Sequence, residues 1–111
     1  MNKDEDSRKC NSVPLVAVTG ALPLGGSSTF LVNLAKAFRD RNLVLPIICL
    51  SDENALAAEF ASSGAAVITI SKRNRIYEDR LAVAYKETVR WKPRAVLSCL
   101  GTESFEVLRL V

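Results

Sequence analysis

Four apolar runs punctuate the chain: LVAVT (15–19), VLPIICL (44–50), AVITI (66–70) and AVLSC (95–99). Each is near-continuous rather than alternating and is rich in β-branched residues, the pattern of strands covered on both faces of a parallel sheet. Between them the apolar period changes to that of a helix. Leu31, Leu34, Ala35 and Phe38 fall at i, i+3, i+4, i+7, with Ser27 or Ser28 placed as N-cap and Asn42 suited to the left-handed position after the helix. Leu56, Ala57, Phe60 and Ala61, at i, i+1, i+4, i+5, also suit one face of a helix, with Asp52 and Glu53 ahead of them as cap and dipole partner and Gly64 as terminator. In a third segment Leu81, Ala84, Tyr85 and Val89 line one face, and Pro93 stops the helix before the fourth strand.

This strand–helix alternation requires right-handed crossovers. It predicts an α/β fold: a three-layer open parallel sheet, four strands in order 3-2-1-4, Rossmann-like and doubly wound. Pro46 removes a ladder donor inside the second run, so that strand should pair mainly after it. The segment TESFEVLRLV (102–111) begins a fourth helix with Phe105 and Leu108 inward, and a sheet ending on a helix reads as cut short. Residues 1–12 read as a disordered polar tail and residues 13–111 as one partial domain. Strand 4 would be an edge without the lysines or prolines that protect one. Further chain, or a partner copy forming a homodimer, is expected to cover it.

Composition narrows the chemistry. The chain has 111 residues, 49% of them apolar, a size and balance suited to a single globular domain. No apolar run reaches the roughly 20 residues that span a bilayer, and no secretory signal is evident at the start, so the cytoplasm is the expected compartment. There is no histidine, which excludes Ser/His/Asp triads, Cys/His pairs and the common zinc sites. Cys10, Cys49 and Cys99 lack metal-site spacing, and no metal or other cofactor is expected. Cys49 and Cys99, lying in strands, read as small buried hydrophobes rather than nucleophiles. A net charge of +3 does not argue for nucleic acid. The basic cluster Lys72, Arg73, Arg75 allows at most peripheral contact with an anionic membrane.

The polar, loop-forming residues gather at the carboxyl ends of the strands, where open α/β sheets bind ligands. The turn GALPLGGSSTF (20–30) dominates this rim. It has the glycine spacing of a nucleotide P-loop, but Gly26 stands where the phosphate-binding lysine belongs. Thr19, Gly20 and Gly26 fit a TGxxxGxG dinucleotide turn with Asp52 as ribose acid, but Leu24 occupies the middle glycine position. The glycines also fit a purely architectural role, permitting a tight turn and close helix–strand packing while the serines cap the helix.

The run LGGSSTFLVNLAKAF (24–38), followed by RNLV (41–44) and WKPRAVLS (91–98), resembles the N-terminal Rossmann-like domain of GT-B glycosyltransferases of the GT4 type (group 1). The resemblance implies the acceptor-side half of a retaining transferase that moves a sugar from a nucleotide-sugar donor to a glycan or lipid-linked acceptor. It implies that Gly25, Gly26, Ser27 and Ser28 face the donor, with backbone N–H groups near its phosphate, and that Thr102, Glu103 and Ser104 help hold sugar or acceptor. The family's C-terminal donor domain supplies the paired glutamates and the basic pair that neutralises the leaving diphosphate. The resemblance therefore implies no transfer by these 111 residues alone. Two rival readings are a dinucleotide-binding oxidoreductase fragment and a non-catalytic α/β module that self-associates.

Overall fold

The computed structural model describes residues 12–71, 76–99, 106, 107 and 109. Strands β1 (Leu15–Thr19), β2 (Pro46–Cys49), β3 (Ala66–Thr69) and β4 (Ala95–Cys99) alternate with helices α1 (Gly26–Asp40), α2 (Ala57–Ser63) and α3 (Tyr77–Arg90). The strands form one all-parallel sheet in the order β3-β2-β1-β4, the predicted topology. Pro46 is the first residue of β2: it stands opposite Ala66 of β3, whereas pairing with β1 begins at Ile47. Its missing N–H thus falls at a strand start, where the ladder tolerates it.

Successive strand residues point to opposite faces, so each strand feeds two cores. On one face Ala17, Ile47 and Cys49 pack with Leu31, Val32 and Ala35 of α1 and Phe60 of α2. On the other, Val16, Val18, Ile48 and Leu50 pack with Ala84 of α3 and with Val107. The result is three layers around a sheet whose two central strands, β1 and β2, are fully covered. Phe105 and Leu108, expected to face inward, lie outside the described residues; their neighbour Val107 is fully buried.

Local signals terminate the helices. At the end of α1 the amide of Asn42 donates to Arg39 O and that of Leu43 to Phe38 O, both at 2.9 Å. These are the two bonds of a Schellman motif, and Asn42 takes the left-handed φ of 61° that it requires. After α3, Lys92 adopts φ 48° and its amide reaches Val89 O at 3.0 Å. Pro93 then has no N–H for the second bond of the motif. Gly64 ends α2 at φ 84°.

Three expectations about helix faces and caps require correction. Helix α2 begins at Ala57, not at Asp52–Glu53, because residues 53–55 are drawn into backbone pairing with Leu22. Its buried residues are Phe60 and Ser63, while Ala57 and Ala61 are exposed; Ser63 tolerates burial because its hydroxyl donates to Phe60 O. Helix α3 turns Arg80, Ala84 and Thr88 inward and leaves Tyr85 and Val89 36% and 37% exposed. Small Ala84 and Thr88, whose hydroxyl is satisfied by Ala84 O at 2.7 Å, let the helix approach the sheet closely.

Candidate functional site

The turn after β1 is held from one side by its neighbour after β2. Leu22 N donates to Glu53 O at 3.0 Å and Leu22 O accepts from Ala55 N at 2.8 Å, an isolated parallel bridge. The Leu22 side chain is buried in the core beneath. Thr19 Oγ1 donates to Ala21 O at 2.8 Å, closing the start of the turn. Beyond this anchor the chain rises into solvent, and Leu24 is 78% exposed.

Gly25 is the N-cap of α1, with φ 157° and ψ −172°, a region open essentially to glycine alone. Its carbonyl accepts from both the amide and the hydroxyl of Thr29, each at 3.0 Å. Thr29 therefore makes the first intrahelical bond, and the amides of Gly26, Ser27 and Ser28 have no intrahelical acceptor. No side chain caps this end, and the first turn carries no acidic residue. Three donors at the positive end of a 15-residue helix form an electropositive terminus suited to an anion.

The serines do not cap the helix as expected. It starts before them, because Gly25 supplies the conformation of the cap, and they fall within the first turn. Ser27 is exposed, whereas Ser28 is 1% exposed and its hydroxyl has no hydrogen-bond partner among the described residues. Nor do the glycines serve close packing. A Cβ placed on Gly25 or on Gly26 would meet nothing within 4 Å among the described residues. Gly25 is required by its backbone; Gly26, in helical conformation, is required neither by its backbone nor by packing among the described residues.

Asp52 is exposed and accepts from Ser71 Oγ at 2.9 Å, tying the loop after β2 to that after β3. Ser51 Oγ accepts from Glu53 N at 3.2 Å and fixes the turn between them. Thr102, Glu103 and Ser104 lie outside the described residues, as do Lys72, Arg73 and Arg75. The described part of the rim thus brings together Gly25, Gly26, Ser27, Ser28 and the anchor Leu22.

Sequence reasoning missed Arg80. It is buried in the first turn of α3 and donates to Leu50 O, just past the end of β2, at 3.3 Å. Its spacing with Ala84 and Thr88, at i, i+4, i+8, was the available signal, obscured because an arginine reads as a solvent residue.

Burial pushes the Cys49 thiol up; Ser51 hydrogen bonds oppose this, and the charges of Glu53 and Asp52 add to it. Cys99 is likewise raised by burial. Both stand opposite Thr19, on either side of β1. Two strand spacings separate them by roughly 9–10 Å, too far for a disulfide. Among the described residues, no group of three or more Cys, Asp or Glu is placed to hold a metal, and no helix is long and apolar enough to cross a membrane.

Comparison with protein families, with curated proteins and with solved structures finds no match to this chain.

Proposed function

We propose that the chain is the N-terminal, acceptor-side domain of a cytoplasmic glycosyltransferase whose glycine turn receives the diphosphate of a nucleotide-sugar donor. The observation that supports this reading is the uncapped start of α1: three amides without an intrahelical acceptor, no acidic residue in the first turn, and a glycine at position 26 that neither backbone geometry nor packing among the described residues demands. A glycine there costs about 0.4–1 kcal/mol relative to alanine, through the greater freedom of the unfolded chain. Close approach of a ligand to the backbone accounts for that cost.

In the proposed reaction the bond from the sugar's anomeric carbon to the diphosphate breaks and a bond to an acceptor hydroxyl forms. The negative charge that develops on the leaving diphosphate is the part that most needs stabilisation. The α1 terminus supplies some of it, and a donor domain closing over the rim supplies the rest, so these residues bind without transferring. The dinucleotide reading is less well supported, because the exposed Leu24 occupies the position where that turn needs a glycine, and an Asp52 oxygen is already engaged by Ser71.

Titration of the ¹⁵N-labelled chain with UDP-, GDP- and ADP-sugars at millimolar concentration tests the reading. Amide shifts centred on Gly26, Ser27 and Ser28, absent with NAD(H) and NADP(H), are expected. Shifts with the dinucleotides alone, spreading to Gly20 and Asp52, would transfer the chain to the oxidoreductase class, and no shift with any nucleotide sugar would sink the proposal.

A further inference from the structure

The free edge of β3 lies away from the glycine rim and is independent of it. Ala66 N donates inward to Leu45 O at 3.0 Å and Ile70 N to Cys49 O at 2.8 Å. Main-chain groups alternate direction along a strand, so those of Val67 and Thr69 face outward, with no strand beside them among the described residues. Neither lysine nor proline guards this edge.

A groove of about 400 Å³ runs against it, lined by Ala66, Val67, Ile68, Glu87, Arg90 and Trp91. Val67 contributes although its side chain packs on the opposite face of the sheet from Ile68. The groove thus adjoins β3 beside its unpaired edge, with apolar Ala66, Ile68 and Trp91 in its lining. Its charged lining is Arg90 and Glu87, of which the arginine is the more exposed. The Arg90 side chain is 72% exposed and makes only a 3.4 Å surface pair with Glu87, and Lys86 lies exposed one turn before it.

We propose that this edge binds an extended, acidic peptide segment by strand addition. The segment pairs with the main chain of Val67 and Thr69, seats one apolar side chain against Ile68 and Trp91, and presents a carboxylate to Arg90. The main-chain row selects an extended backbone, the groove selects an apolar anchor, and Arg90 selects negative charge. A second copy paired through the same strand fits less well. Residues 64–71, GAAVITIS, contain no acidic residue to meet Arg90.

Two synthetic heptapeptides test this, one alternating glutamate with valine and isoleucine, the other with lysine in place of every glutamate. Added to the ¹⁵N-labelled full chain, the glutamate peptide is expected to shift the amides of 66–69 and the Trp91 indole N–H. It should also slow hydrogen exchange at Val67 and Thr69. Arg90→Glu should weaken this binding about tenfold, and Val67→Pro, which removes an edge-facing donor, should abolish it in a chain that keeps its circular dichroism. Should Val67→Pro unfold the chain, Arg90→Glu and the lysine peptide decide alone. Equal binding of both peptides, no shift at 66–69, or a chain that sediments as a dimer with Val67 and Thr69 already protected would each overturn the proposal.

Discussion

Thr29 donates twice to the carbonyl of Gly25, once through its amide and once through its hydroxyl, each at 3.0 Å. The two hydrogen bonds to one oxygen mark where α1 begins and leave the three preceding amides without an intrahelical acceptor. They separate the roles of two adjacent glycines that look alike in the sequence.

Gly25→Ala and Gly26→Ala should consequently move stability in opposite directions. At Gly25 the φ of 157° makes alanine cost about 1–3 kcal/mol. At Gly26, which is helical with open space before it among the described residues, alanine should stabilise by about 0.4–1 kcal/mol while abolishing nucleotide-sugar shifts at residues 26–28. Urea denaturation of both variants, with the titration repeated on the second, checks the pair. A Gly26→Ala chain that binds unchanged would return that glycine to architecture.

Arg80 should matter to folding out of proportion to its surface-like sequence character. Arg80→Ala removes a buried donor from Leu50 O and should cost about 1–3 kcal/mol. Lysine should recover only part of this, since it lacks the planar fork. Denaturation midpoints of the two variants against the parent provide the measurement.

Gly64 holds φ 84°, and a Cβ there would meet the Arg39 side chain at 3.3 Å. That same arginine donates to Ser62 O at the end of α2. Gly64→Ala should therefore strain the backbone and dislodge the cation from the carbonyl end of the helix, destabilising by more than 1 kcal/mol on the scale of such positions. Arg39→Ala combined with Gly64→Ala should cost less than the sum of the single changes, as a double-mutant cycle would show.

Cys49 ties stability to alkaline pH. Burial raises the folded thiol above its ordinary 9.0, so above that value the unfolded chain loses a proton that the folded chain keeps. The folded state binds more protons in this window, and stability falls as pH rises through it. Cys49→Ala should flatten the stability profile above pH 9, and native Cys49 should react with iodoacetamide at neutral pH far more slowly than the urea-unfolded thiol.

The strands were legible because a doubly covered strand needs an apolar residue at nearly every position, and no other element of this chain does. Asn42 and Gly64 were legible as helix ends because the left-handed conformation admits few residues. The face of α3 was not, because Arg80 and Thr88 are buried through hydrogen bonds to Leu50 and Ala84 that hydropathy does not register. The start of α2 was missed for a non-local reason, since residues 53–55 answer to Leu22, some thirty positions earlier in the chain. At the candidate site the glycine turn stood out in the sequence. That its serines lie inside the helix, with one of them buried, depends on where α1 begins: its N-cap is Gly25, ahead of both serines.

The bridge between Leu22 and residues 53–55 gives the glycine turn a fixed footing. Its root is clamped by two hydrogen bonds and a buried side chain, and its far end is held where Gly25 caps α1, so residues 23 and 24 span two fixed points. Where the turn stands therefore depends on the loop after β2, a segment that need not touch the ligand at all.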